Sequence, residues 1–357
     1  MASQGDWKIP ASTQPKPGDY GYDLDHALAA MVQLSARVPA EAFTAETLGT
    51  ERAGNGVVIG EDGLVLTIGY LVTEAESVWL TTNDGRSVPG HVMGFDAATG
   101  FGLVQALGPL GVPALKLGSS GSLKIGDRAV VAGAGGRQRC VAAQIVARQE
   151  FAGYWEYVLD EALFTAPSHP NWGGTALIGP EGDLLGIGSL QLQQGGTSGP
   201  RAINMVVPID LLPPILDDLT SRGRANRPAR PWLGLYATES EDGVVVMGLA
   251  DNGPAEAADL RAGDVIEAVA GEPVADLADF FRSVWALPLA PLSGGALIET
   301  VAGGCGPGFH PNPWGVCRPN WGPRPYWRRP PGYGPYGYGP PRPFYGRPAY
   351  YGPRHFY

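Results

Sequence analysis

Nowhere do 18 or more apolar residues follow one another in this 357-residue chain, so no membrane-spanning helix is expected. The segment from Met1 to Pro17 is polar and contains proline. It lacks the basic-then-apolar layout of a signal peptide, which predicts a cytoplasmic protein. Cysteine is scarce, with three residues. Cys140 stands alone in an apolar, strand-like context and reads as a buried, inert thiol. Cys305 and Cys317, with eleven residues between them, can pair only in an oxidising compartment. With His310 they still lack a fourth zinc ligand, and neither a metal nor a cofactor is expected. Positive charge is missing from most of the chain. The net charge is −10, and residues 303–357 carry seven Arg and no Asp, Glu or Lys, which leaves −17 for residues 1–302. A body of that sign excludes nucleic-acid binding by the globular part, since phosphate recognition needs a cationic surface.

What is present is enough for a real core: 44% of residues are hydrophobic, and the length suits two domains plus extensions. Residues 22–36 space Leu24, Leu28, Met31, Val32 and Leu34 as an amphipathic helix does. From Ala53 the pattern changes to short β-rich runs bounded by turns such as Glu61-Asp62-Gly63 and Asn83-Asp84-Gly85. Their near-regular spacing up to Leu190 predicts one all-β barrel or a pair of them. Pro208–Leu219 reads as a helix, and the Arg-rich 221–230 as a linker. Beyond it, strands are expected at Trp232–Ala237, Val244–Ala250 and Asp264–Val269, and helices at Ala255–Leu260 and Asp276–Leu287. Past Pro288 only Ala296–Val301 is strand-like.

Six pieces in order resemble the HtrA/DegP family, a chymotrypsin-like double β-barrel followed by a PDZ domain. These are Gly54-Asn55-Gly56-Val57-Val58-Ile59; Glu61-Asp62-Gly63-Leu64-Val65-Leu66-Thr67; Asn83-Asp84-Gly85-Arg86; Leu115-Lys116-Leu117-Gly118-Ser119-Ser120; Ile125-Gly126-Asp127; and Asn171-Trp172-Gly173-Gly174-Thr175-Ala176-Leu177. After the linker, Gly253-Pro254-Ala255-Glu256 and Leu260-Arg261-Ala262-Gly263-Asp264-Val265-Ile266 are similar to the family's PDZ motif. The resemblance implies a mainly β fold. An N-terminal extension with one helix (1–43) precedes the double barrel (44–220) and the linker (221–230). An incomplete PDZ-like α+β domain (231–302) and a disordered tail (303–357) follow. Residues 304–320, Gly304-Cys305-Gly306 to Cys317-Arg318-Pro319-Asn320, resemble a second family of small exported rhizobial proteins, which suggests a fusion junction near 288–300.

The same resemblance implies a serine endopeptidase, and the residues at its catalytic positions contradict that. Ser–His–Asp chemistry needs a nucleophile, a general base and an orienting carboxylate. The positions read Trp172, Tyr70 and Gly100. A phenol with a pKa of about 10 is a poor base, and an indole offers only an N–H donor. One family oxyanion donor falls on Pro170, which has no N–H. Neighbouring Ser168 and His169, with Asp96, and likewise His91 with Ser87, read as polar surface or turn residues. The expectation is therefore a catalytically inactive relative. Pro231-Trp232-Leu233-Gly234-Leu235 resembles the loop whose backbone N–H groups receive a peptide's terminal carboxylate, so Trp232, Leu233, Gly234 and Leu235 are the expected peptide-binding residues. The implied partners are peptide or unfolded-protein C-termini and further copies of the chain, as a trimer. In the tail, Tyr and Arg interleave as in single-strand binders, but a solvated low-complexity segment is the preferred reading.

Overall fold

A computed structural model describes residues 7–195, 199–241 and 243–288, together with the backbone of Phe309–Pro311 and Cys317–Pro319. Twelve strands form two closed barrels. The first takes β1 (Met31–Arg37), β2 (Glu51–Val58), β3 (Leu64–Ile68), β4 (Ser77–Thr82), β5 (Ser87–Phe95) and β6 (Phe101–Ala106), in the order β1-β2-β3-β6-β5-β4. The second takes β7 (Arg128–Ala132), β8 (Cys140–Gly153), β9 (Tyr157–Ala166), β10 (Ala176–Ile178), β11 (Leu184–Gln194) and β12 (Arg201–Pro208), in the order β10-β11-β12-β9-β8-β7. Neighbours pair antiparallel throughout, as in β1–β2 with Val32 opposite Gly56. Alternate side chains leave a strand on opposite faces, and here both faces are covered. Val130 and Ala132 of β7 join one buried cluster, and Ala129 and Val131 join another. Such doubly buried strands read as continuous apolar runs.

The helix expected over 22–36 is shorter than its spacing suggested. It covers Leu24–Ala29, capped by the Asp23 carboxylate accepting from the His26 N–H at 3.0 Å. Met31–Arg37 is β1 instead. Val32, Leu34 and Ala36 also fit a period of two, and pairing with both β2 and β4 decides between the periods. The first barrel therefore begins at Met31 rather than at 44, and the N-terminal extension is correspondingly shorter. The helix after β12 runs Pro213–Arg222 and ends on Gly223 at φ +72. The linker is tied down: Arg227 reaches buried Asp96 at 3.3 Å.

After the linker, β13 (Leu235–Ser240), β14 (Gly243–Leu249) and β15 (Val265–Ile266) form a three-stranded sheet, and β16 (Ala268–Val269) pairs with β17 (Glu272–Pro273). The helix expected at Ala255–Leu260 is one turn, Pro254–Ala257. The helix Leu277–Ala286 lays Leu277, Phe280, Phe281 and Val284 against Leu235, Ala237 and Val244. Its first turn is capped by Asp276, which accepts from the Asp279 N–H. The strand expected at Ala296–Val301 and most of the tail lie outside the described residues. Where no order was expected beyond Gly303, β18 (Phe309–Pro311) pairs antiparallel with β19 (Cys317–Pro319). Among the described residues, no helix is long and apolar enough to cross a membrane.

Candidate functional site

The three positions singled out in the first barrel and the loop after β9 lie close together. Tyr70 occupies the turn Gly69–Leu71 that follows β3, and its hydroxyl donates to the Ser189 carbonyl of β11 at 2.9 Å. Trp172 and Tyr70 line one open cleft of about 280 Å³, with Trp7, Gln33, Arg139 and Pro170. Both aromatic side chains are half-buried. Burial pushes the Tyr70 phenol well above its ordinary value, and the Trp172 side chain offsets part of that shift. Proton abstraction at neutral pH is thereby made harder still. The Gly100 carbonyl accepts from the Gly69 N–H at 2.6 Å, which ties it to the turn that carries Tyr70. Gly100 has φ +83, and a Cβ there would stand 3.2 Å from the Tyr157 hydroxyl and 3.3 Å from Ile68 Cδ1. A side chain at this position would face a strained backbone and crowding by Tyr157 and Ile68.

His169 and Ser168 do not form a surrogate couple. His169 is fully buried; its Nδ1 accepts from the Asn171 N–H at 3.1 Å and its Nε2–H donates to the Arg139 carbonyl at 2.8 Å. Both ring nitrogens are thus committed to backbone, and Trp7 packs edge-on against the ring at 5.7 Å. Ser168 instead accepts from the Gln191 side chain at 3.1 Å. Asp96 is taken up by the Thr99 N–H and hydroxyl and by Arg227. His91 and Ser87 are both exposed on β5.

Burial holds the His169 pKa below its ordinary value, partly offset by its bonds to Arg139 and Asn171. The unfolded chain therefore binds more protons than the folded one between the lowered value and about 6.5. The contribution is fully present above about pH 6.5 and is lost as pH falls through the folded value, at up to about 1.4 kcal/mol per pH unit. Thermal melts between pH 7 and 5 should show a steeper fall in Tm for the native protein than for His169→Gln; equal slopes would refute this.

Two residues that sequence reasoning passed over hold the cleft together. Asn55, 6% exposed, donates from Nδ2 to the Asn171 and Gly173 carbonyls at 3.0 and 3.1 Å and accepts on Oδ1 from the Ala134 N–H at 2.9 Å. Arg52 donates to the Tyr70 and Thr73 carbonyls at 2.8 and 2.9 Å and to the Thr44 hydroxyl at 2.7 Å, and its burial lowers its pKa. Glycines on either side of Asn55 were the available signal. A Cβ on Gly54 would meet Leu71 and the Gly173 carbonyl, and one on Gly56 would meet Val65 at 2.6 Å.

The second candidate site is the loop before β13. Gly234 has φ +69, which glycine adopts without strain, and Trp232 is exposed with its ring edge-on to Phe43 at 5.9 Å. The Leu233 and Gly234 N–H groups converge on one acceptor, Glu156 Oε1, at 3.1 and 3.0 Å. Glu156 lies in the turn between β8 and β9. Burial raises its pKa, against the pull of the Gly234, Leu233 and Leu235 backbone amides. Nothing in the sequence marked it.

Residues 54–187 match the trypsin-like peptidase domain family and residues 231–288 the PDZ domain family. The putative-serine-protease relative HhoA of Synechocystis is 28% identical over 258 residues, covering 65% of this chain and 63% of that protein. The periplasmic serine endoprotease DegP of Escherichia coli is 27% identical over 255 residues, covering 66% of this chain and 52% of that protein. A probable periplasmic DegP-like endoprotease of Pseudomonas fluorescens is 27% identical over 248 residues, and this chain spans 51% of it. Among solved structures, the HtrA-type protease AlgW with tripeptide is 21% identical, covers 74% of this chain and 87% of its own, and gives a TM-score of 0.46. Barrels and sheet together define a trypsin-like peptidase fold joined to a PDZ domain. These two domains and the HhoA and DegP relatives make the chain HtrA/DegP-like. The relatives' names overturn the cytoplasmic location expected from the N-terminal residues, because the DegP proteins are called periplasmic, which points to export. The polar make-up of residues 1–17 is not by itself an address.

Proposed function

We propose that this chain is a catalytically inactive HtrA-like protein that binds peptides or unfolded segments through its PDZ groove, outside the cytoplasm like its DegP-named relatives. The observation that carries this reading is the cleft itself. Trp172 and Tyr70 line it together, and His169, next to the lining residue Pro170, has both ring nitrogens bonded to backbone. On this reading Tyr70, Gly100 and Trp172 are the vacated base, carboxylate and nucleophile positions. Pro170 has also lost an oxyanion donor, since its nitrogen carries no hydrogen. Loss of a triad in a working enzyme costs about 10⁶ in rate, and loss of one oxyanion donor about 10²–10³, although the effects do not add. The domain division expected from the sequence is retained, with the first barrel moved to Met31. Self-association as a trimer is carried over from the resemblance.

The relatives' naming as serine endoproteases favours the competing reading, an active endopeptidase. Incubation with a fluorophosphonate serine probe and with unfolded casein separates the two. The expected result is no labelled serine and intact casein, with Trp172→Ser alone restoring neither, because base and oxyanion donor remain missing. A labelled serine whose mutation abolishes both labelling and casein cleavage would overturn the proposal.

A further inference from the structure

The hairpin that joins β8 to β9 ends in Tyr154-Trp155-Glu156 and sits on the PDZ sheet in the manner of a bound peptide. Three contacts carry this. The Glu156 carboxylate accepts from the Leu233 and Gly234 N–H groups, where successive backbone donors converge. Two residues earlier, the Tyr154 carbonyl accepts from the Ala237 N–H of β13 at 3.0 Å. The tip is a turn rather than a strand, but this backbone bond to β13 and the carboxylate together set it on the edge that a peptide strand would use. The Tyr154 ring also packs against Tyr236, edge-on at 6.1 Å.

Residues further from the tip continue the docking with the same periodicity. Ala152 and Val158 pack against the PDZ core of Leu235, Ala237, Leu277, Phe280 and Phe281. Beyond them Glu150 and Asp160 both pair with Arg282 of the facing helix at 2.6 Å. Residues 150, 152, 154, 156, 158 and 160 thus meet the PDZ domain, every second position along the hairpin. Glu156 itself is held at φ +60, a left-handed conformation that a non-glycine residue keeps only where its surroundings enforce it.

We propose that the β8–β9 hairpin is a built-in ligand of the PDZ groove: Glu156 supplies a side-chain carboxylate in place of a peptide's terminal one, and an incoming peptide must displace it. The incoming ligand rests on the peptide-binding reading above; the docked hairpin stands on the contacts just given. The groove is closed until a carboxylate-ended segment competes for the same N–H groups and the same edge of β13. Competition with a tethered ligand lowers apparent affinity by the fraction of time the site is free.

The test uses the full chain, native and as Glu156→Ala, with two readouts. One is amide hydrogen exchange at residues 233–237. The other is binding of a labelled peptide that copies residues 150–155 and ends in valine with a free carboxylate, with its C-terminally amidated twin as control. Glu156→Ala should speed exchange at 233–237 and bind the free-carboxylate peptide at least tenfold more tightly than the native chain, with no gain for the amidated twin. Glu156→Gln, which keeps the shape and drops the charge, should fall between the two, and it carries the same test where the alanine variant does not fold. Unchanged exchange overturns the proposal whatever the peptide does, and so does faster exchange with equal peptide affinity in both proteins. Faster exchange with no peptide binding to either protein supports the docked hairpin and overturns the peptide-binding function, so the two failures are distinguishable.

Discussion

Gly174→Ala is expected to lower the unfolding midpoint of the barrels by roughly 10 °C, since it should cost about 3 kcal/mol or more and each kcal/mol moves a domain of this size by about 2–4 °C. Two effects add at this residue. Its φ of +74 is left-handed, which costs an L-residue about 1–2 kcal/mol. A Cβ there would also overlap the backbone carbonyl of Asn55 and stand 2.6 Å from Thr67 Oγ1. Neither neighbour can yield cheaply. The Thr67 hydroxyl donates to that same carbonyl at 2.7 Å, and the Gly174 N–H is itself bonded to the Gly188 carbonyl at 2.9 Å. Relief would have to come from backbone movement in a close-packed interior, for about a further 1–3 kcal/mol. Gly85→Ala is the control. It has φ +87, and beyond its chain neighbours no group lies within 4 Å of the place its methyl would take, so only the backbone cost of about 1–2 kcal/mol should appear. Equal shifts in Tm for the two variants would show that the close approach at Gly174 contributes nothing.

The contrast between these glycines also marks how far the sequence was legible. Strands were found where local chemistry specifies them: alternation in β4, turn residues such as Asn83-Asp84-Gly85, and apolar runs like Val130–Ala132. The failure at residues 31–37 has a local cause too, because Val32 and Leu34 sit in both a helical and a strand period, and only the partners β2 and β4 choose. The cleft was half legible. Motif order placed Tyr70 and Trp172, and they do share it. What fixes the cleft was not legible, since Asn55 meets its partners 116 and 118 residues away and Glu156 meets the PDZ loop 77 and 78 residues away. Contacts across such separations leave no period or spacing in a single sequence. His169 shows the same limit: a histidine beside a serine looks catalytic or idle, and only Arg139 and Asn171 reveal that its ring is a structural brace.

Asn55→Asp is expected to destabilise the barrels by about 3–5 kcal/mol at neutral pH, the range for a buried charge left without a partner. The change is nearly isosteric, so packing is not at issue. The native amide presents two donors to the Asn171 and Gly173 carbonyls and one acceptor to the Ala134 N–H. A carboxylate keeps the acceptor and turns both donors into negatively charged oxygen facing carbonyl oxygen. Burial at 6% exposure denies it water, so its pKa in the folded state must rise above the unfolded value of about 3.9. The sign of the pH dependence follows. The folded state then holds a proton that the unfolded state has released, so the penalty is least below about pH 3.9 and grows as pH rises through the folded value. Protonation also returns one O–H donor to the carbonyl pair. The Tm deficit of Asn55→Asp relative to native should therefore widen between pH 5 and 8, whereas Asn55→Ala, which has nothing to titrate, should show a constant deficit. The loop 171–173 should exchange its amides faster in both variants, because the same side chain that spans the two barrels holds that loop in place. A pH-independent deficit for Asn55→Asp would mean that the loop moves away from the carboxylate, and that the cleft is not held by Asn55.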